Sequence, residues 1–484
     1  MFVMERRVAQ LFRLALRRCF DGPAARADQI PILLRSDPNG WRMQAVHPDF
    51  AILYSQPGPT GEGSLAFPAV CFGPFEGRTA DPVELEVDPS GKGTARWSDR
   101  GIDRQMVLPT VSPESVPMPP ERPHAFAPMP RSFLTALHEA GRATAKEPTK
   151  YVLHRLLLKG KAGQIVATDS KQLLLQGGFS FPFEDDVIIP RSAAFGLPPF
   201  QEIEEVAIGR TDTHVFLRVG RWIFAFTIDA KGRFPDIAGL IPRPFAAGTR
   251  FHLDPRDADY FVRVLGKRLI KPTEQEIFLT LDLSESPCFR IKLDEAITEI
   301  ALPRSQVTGP GLRLNLNLKH LLRAIEMQFQ EFEIRDAEKP FVARDGNRVL
   351  LAMPCSAQGV LPPVKDAVRF TPSLEEGTRP SRTRSIARAP VKSPSRPLVA
   401  VESVALSGST ALVASTDPFP GRDRAFDLFA EAEGFTQAVV QAAVHAGRLL
   451  HHLRGLCGQP RMIRLVRQSF QTLTDTITKS ETTL

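Results

Sequence analysis

The sequence lacks most of the residue patterns that mark a site of chemistry. Its five cysteines, Cys19, Cys71, Cys288, Cys355 and Cys457, are odd in number and widely scattered, with no Cys-x-x-Cys pair. That spacing suits neither a zinc site nor a disulfide framework, and reads as reduced thiols in a cytosolic protein. His451 and His452 are adjacent, so on a helix they point about 100° apart and do not form a ligand pair. There is no Gly-rich phosphate loop and no nucleophile constellation, which leaves an enzyme reading without residues to carry it. No run of about 18 apolar residues occurs, so no membrane helix is expected. A strong charge bias is also missing from most of the chain. The net charge is +7, but residues 361–484 hold 16 Lys/Arg against 11 Asp/Glu, leaving the first 360 residues at only +2. If that body meets nucleic acid, it does so by sorting charges onto one surface.

What is present is length and repetition. At 484 residues the chain exceeds a single core and suits several domains. Its start is Arg-rich and amphipathic, like a transit peptide, but Val8, Leu11, Phe12, Ala15 and Leu16 fall at helical spacing. Asp21-Gly22-Pro23 then ends the run, as a domain helix would end. Strands follow within 30–56 and at 82–88 and 93–98, with a short helix expected at 65–72. Residues 124–242 replay this plan: a helix over 130–147, a hairpin turning at 159–163, and alternating strands at 206–209 and 214–219. Residues 243–358 run it again, with a helix over 253–271 capped by Asp254 and a strand entering a helix over 312–329. Three passes of one plan, at about 120 residues each, indicate a repeat architecture.

Particular segments then carry a resemblance. Ala-Thr-Asp-Ser-Lys-Gln-Leu at 167–173, Val-Ile-Ile-Pro-Arg-Ser-Ala from 187, and Phe-Pro-Asp-Ile-Ala-Gly-Leu-Ile-Pro at 234–242 resemble, in that order, segments of bacterial DNA polymerase III beta subunits, the replicative sliding clamps. So do Leu-Asn-Leu-Asn-Leu-Lys-His-Leu-Leu-Arg-Ala-Ile from 314 and Val-Leu-Leu-Ala-Met-Pro-Cys-Ser from 349. The likeness covers residues 1–357 and is strongest in repeats two and three.

The resemblance implies an α+β fold of three DNA-clamp domains at 1–123, 124–242 and 243–358, with helices inside and antiparallel sheets outside. It implies a homodimeric ring around double-stranded DNA: a processivity factor with no catalysis, cofactor or metal, in the bacterial cytoplasm at the nucleoid. DNA polymerase and the clamp loader would bind it through short linear motifs. The expected DNA-facing cations are the basic residues on the first helix of each repeat. These are Arg6, Arg13 and Arg17; Arg131, Arg142 and Lys146; and Arg263, Lys267, Arg268 and Lys271. Lys319 and Arg323 lie on a second helix of repeat three, and Arg26 and Lys150 sit near loop positions where family members touch DNA.

A peptide cleft between repeats two and three is expected at Leu153, Thr168, Ser170, Lys171, Gln172, Leu173, Pro242, Leu351, Met353 and Pro354. Its apolar floor is kept, but Ser170-Lys171-Gln172 stand where the family has Gly-His-Arg, and Cys355 where it has Met. Asp49 and Asp169 read as caps of tight turns. Beyond the third repeat the chain continues with a Pro/Ser/Arg-rich disordered linker over 359–423 and a helical segment over 424–478. Ala425-Phe426-Asp427-Leu428-Phe429 in that segment resembles the family's clamp-binding peptide. The rival reading is a diverged paralogue that binds DNA or regulates without forming a ring.

Overall fold

The computed structural model describes residues 1–372 apart from 59–61, 89, 149–150, 244–247, 271–275 and 294–295, and omits the side chains of 238 and 267–270. Lys150, Lys271, the side chains of Lys267 and Arg268, most of the expected linker and the whole helical segment 424–478 lie outside the described residues.

The chain opens on a strand. Alternation in Phe2–Glu5 buries Phe2 and Met4, and the strand pairs antiparallel with Pro82–Val87. The helix Arg6–Cys19 follows, burying Ala9, Phe12, Ala15, Leu16 and Cys19 on one stripe. Arg17 and Arg18 fall in its last turn, where the helix dipole favours cations.

One topological plan then appears three times. An opening strand (Phe2–Glu5, Ala127–Met129, Thr249–His252) leads into a helix (Arg6–Cys19, Ser132–Arg142, Pro255–Ile270). A three-stranded meander follows: Pro31–Asp37, Gly40–His47 and Phe50–Pro57 in repeat one; Arg155–Lys159, Gln164–Thr168 and Gln172–Gln176 in repeat two; Phe278–Asp282, Cys288–Leu293 and Ala296–Ala301 in repeat three. A returning strand (Ser64–Pro68, Val187–Pro190, Arg313–Asn317) pairs with the first strand of that meander. A second meander completes each repeat: Pro82–Val87, Gly93–Asp99 and Ile102–Leu108; Val206–Arg210, His214–Val219 and Trp222–Thr227; Glu331–Ile334, Phe341–Asp345 and Arg348–Ala352.

Neighbouring repeats share sheets. The last strand of the first meander in repeat one, Phe50–Pro57, pairs antiparallel with the last strand of the second meander in repeat two, Trp222–Thr227. The same two positions join repeats two and three, where Gln172–Gln176 pairs antiparallel with Arg348–Ala352. The joined sheets have eight and nine strands. At the second junction Leu173, Leu174, Leu175, Leu350 and Leu351 are all buried. Full burial is worth roughly 2 kcal/mol per leucine before entropy, so these five side chains carry on the order of 10 kcal/mol of apolar burial, shared between the junction and the cores of the two repeats. At the first junction Trp222 lies 4.7 Å from Tyr54 and 5.7 Å from Phe12, ring centre to ring centre.

Several expected elements change form. The helix expected at 65–72 is the strand Ser64–Pro68 followed by a 3-10 turn, Ala69–Phe72. Pro68 is extended (φ −64°, ψ 145°), so the helical turn starts only after it. The helix of repeat two ends at Arg142, leaving Lys146 beyond it. The helix Pro255–Ile270 breaks at Gly266, whose φ is 62°. Asp254 caps that helix as expected, its carboxylate accepting from the Arg256 N–H at 2.8 Å. The segment expected as linker from 359 begins in order, with the strand Val368–Phe370. Among the described residues no helix is long and apolar enough to cross a membrane.

Candidate nucleic-acid interface and peptide cleft

Three arginines of the first helix, Arg6, Arg13 and Arg17, are already engaged within the chain. Arg6 donates to the Phe75 carbonyl and to Asp99, both at 3.0 Å. Arg13 bridges Asp28 and Glu76 at 3.0 and 2.9 Å, and Arg17 also donates to Asp28, at 2.8 Å. The Asp28 carboxyl is pulled down to about 2 by the hydrogen bond from Arg17, aided by Arg13 and opposed by burial. Periodicity had put these guanidiniums on the polar face of the helix. They fold down onto Asp28, Glu76 and Asp99 instead, because a half-buried charge needs a partner.

Other cations point outward. Arg18, Arg26, Arg131, Lys146 and Arg263 are exposed, and the Arg263 guanidinium donates to the Asp259 carbonyl at 3.2 Å. Arg18 was not singled out by its sequence neighbourhood, although its place in the last helical turn is the signal for it. Arg142, also exposed, pairs with Glu326 of repeat three. Lys319 is half-buried, its backbone N–H capped by Asn317. A cavity of about 300 Å³ opens between the first two helices, with Arg17, Arg18, His138, Arg142 and Arg191 in its lining. Burial, then the neighbouring Arg142 and Arg18, pushes His138 below its ordinary value.

The cleft residues converge on the second junction. Leu173 and Leu351 are directly opposed across it, and both belong to an apolar cluster with Leu157, Val166, Ile188 and Ile237. Leu153 and Thr168 are buried nearby in the chain, while Pro354 is half-buried. Exposed apolar surface flanks this floor at Met353 and Leu240, 43% and 58% exposed. The Met353 N–H donates to the Lys171 carbonyl at 2.8 Å, and Arg344 donates to the Pro242 carbonyl.

The rim turn is organised by Asp169, whose carboxylate accepts from the Lys171 and Gln172 N–H groups at 2.9 Å each. Asp169 therefore caps its turn as expected. Asp49 instead pairs across the first junction with Arg155, at 2.9 Å. Ser170 is held at φ 77°, in the left-handed region that glycine occupies freely. Lys171 reaches Glu276 of repeat three at 2.9 Å. Gln172 is buried and accepts from Arg323, which places Arg323 under the cleft rim. Burial, with Arg142 and against the nearby acids, lowers the Arg323 guanidinium to about 10. Among the described residues no group of three His, Cys, Asp or Glu side chains could hold a metal.

No protein-family model and no curated protein sequence matches the chain. Solved structures do. A DNA polymerase sliding clamp from Bacillus subtilis superposes with a TM-score of 0.60 at 19% identity, covering 74% of this chain and 99% of that one. A DNA polymerase III subunit beta from Pseudomonas aeruginosa gives 0.57 at 18% identity, covering 73% and 99%. The Pseudomonas aeruginosa sliding clamp bound to griselimycin gives 0.58 at 16%, with the same coverage. With three repeats, shared junction sheets and near-complete coverage of these clamps, the chain has the sliding-clamp fold of DNA polymerase III beta subunits, carried at low sequence identity and followed by a C-terminal extension.

Proposed function

We propose that this protein is a non-catalytic, sliding-clamp-like processivity factor that encircles duplex DNA as a head-to-tail ring of two copies and tethers a polymerase. The sheet plan carries the proposal. Two junctions inside the chain use the same pair of strand positions. The same two positions recur at the ends of the molecule, as Ile102–Leu108 in repeat one and Ala296–Ala301 in repeat three. Joining them between copies repeats the internal geometry, and a heterologous contact that closes by rotation makes a ring. Arg18, Arg26, Arg131, Lys146 and Arg263 are the outward cations for sequence-neutral phosphate contact. The apolar floor at Leu173 and Leu351, with Met353 exposed beside it, suits a short linear motif on a polymerase or clamp loader.

The second reading is a diverged paralogue that binds DNA or regulates without closing. One observation favours it: the strand Ala296–Ala301 carries Val368–Phe370 on its outer edge. Mixed cross-linking tests the first reading. Copies carrying Gln105→Cys are mixed at high concentration with copies carrying Ile297→Cys and treated with a short bismaleimide. A covalent two-copy product that needs both substitutions is expected; its absence would favour the second reading.

A further inference from the structure

The strand Val368–Phe370 sits where neither internal junction has a counterpart. It pairs in parallel with Ala296–Ala301, matching Thr298 with Val368, Glu299 with Arg369 and Ile300 with Phe370. Every other strand pairing among the described residues is antiparallel. It is also short, with three matched pairs against five at each internal junction. Its residues are exposed throughout.

The chain reaches this edge by crossing the sheet. After the last strand of repeat three, the Cys355 N–H donates to the Asn315 carbonyl at 2.7 Å. The Asn315 side chain returns a bond to the Ser356 carbonyl at 2.9 Å. Leu361 then donates its N–H to the Thr280 hydroxyl at 2.8 Å. Those anchors step from the strand Arg313–Asn317 to the strand Phe278–Asp282, and the sheet order places Ala296–Ala301 at the far side. There Arg369 lies 3.4 Å from the Glu299 carboxylate.

We infer that Val368–Phe370 is a built-in plug, holding in cis the strand edge that a second copy would take with its Ile102–Leu108. The inference rests on the ring reading above, and the occupant it commits to is a second copy of this chain. Three observations support that occupant. The edge is the unmatched third instance of the internal junction. Ile102 and Val107 of the opposite edge are 55% and 52% exposed, apolar area that a junction would cover. Arg104 is exposed on the same strand, offering Glu299 the charge that Arg369 supplies in cis. An unpaired strand edge invites wrong partners, and a short covering strand guards it. Three exposed residues can be displaced where five mostly buried pairs could not. Ring closure in this protein is thus set by competition between a tethered strand and a free one.

Light scattering over a concentration series tests this in the full chain. Arg369→Glu sets a carboxylate against Glu299, and Val368→Pro disturbs the plug's own strand. Either variant is expected to tighten the dimer Kd at least tenfold. A lock made by Glu299→Cys with Arg369→Cys is expected to stay monomeric when oxidised and to dimerise after dithiothreitol. Gln105→Pro on the opposite edge is expected to abolish the dimer gained by Arg369→Glu. If both release variants stay within twofold of the parent and the oxidised lock dimerises like the reduced one, the plug is overturned while the ring stands. If no form dimerises at any concentration, the ring reading fails and takes the plug with it.

Discussion

Among the basic residues, geometry separates those that hold the fold from those free to meet a phosphate. Arg13 is 12% exposed between Asp28 and Glu76, and removing it takes the partner from Glu76 and leaves Asp28 with Arg17 alone. Arg13→Ala is expected to lower stability by about 2 kcal/mol, read by urea denaturation. Lys146→Ala and Arg131→Ala are expected to leave the midpoint unchanged. Each should instead reduce the salt slope of DNA affinity by about 1. Asp28 and Asp282 are both held at about 2, below their usual 3.8. Asp28 is held there by the hydrogen bond from Arg17, with Arg13 adding to it. For Asp282, burial acts against the shift, and Ser284, Arg290 and Arg313 outweigh it. A depressed carboxyl contributes stability that is present above its unfolded value. Resistance to urea should therefore fall as pH drops from about 4 towards 2. Ser170 carries backbone strain at φ 77°, and Ser170→Gly is expected to raise stability by about 1 kcal/mol. A fall in the denaturation midpoint would refute that account of the turn.

Elements were legible in the sequence where their pattern is strong and repeated. Gln-Leu-Leu-Leu-Gln at 172–176 is buried throughout, and in Arg-Val-Leu-Leu-Ala at 348–352 the last three residues are buried, so both carry the near-continuous apolar run of a strand covered on both faces. The strand Ile102–Leu108 was not read, because Asp103, Arg104 and Gln105 interrupt its apolar pattern and four of its first four residues are exposed. Phe2–Glu5 was not read as a strand, because no breaker separates it from the following helix. Val368–Phe370 is three residues long in a Pro-rich stretch, and only its pairing with a distant strand defines it.

The candidate cleft could be named from the sequence as residues but not as contacts. The motifs located Leu173 and Leu351, whereas the bond between Arg323 and Gln172 joins positions 151 residues apart. Met353 is exposed beside the floor, so Met353→Ala should spare stability while weakening a Gln-Leu-Ser-Leu-Phe peptide about tenfold. Fluorescence anisotropy reads that change, and unchanged affinity would place the peptide elsewhere.

The described chain is built by repetition. Two internal junctions, built alike, leave a third pair of edges to be joined, and the third repeat arrives with one of those edges covered. A ring that threads DNA needs only weak contacts, since topology does the holding; a surface binder needs every phosphate contact it can make. In the proposed ring, the rim at Ser170, Lys171 and Gln172 would bear on which partner is tethered, whereas the sheet edges would bear on whether anything is encircled.

Retention on DNA circles tests the central claim most directly. Protein carrying Arg369→Glu is assembled on a nicked circle, washed in raised salt, and compared with the same sample after the circle is cut once. The account predicts that protein stays on the intact circle and leaves when the DNA is linearised. Equal loss from circle and linear DNA would contradict it.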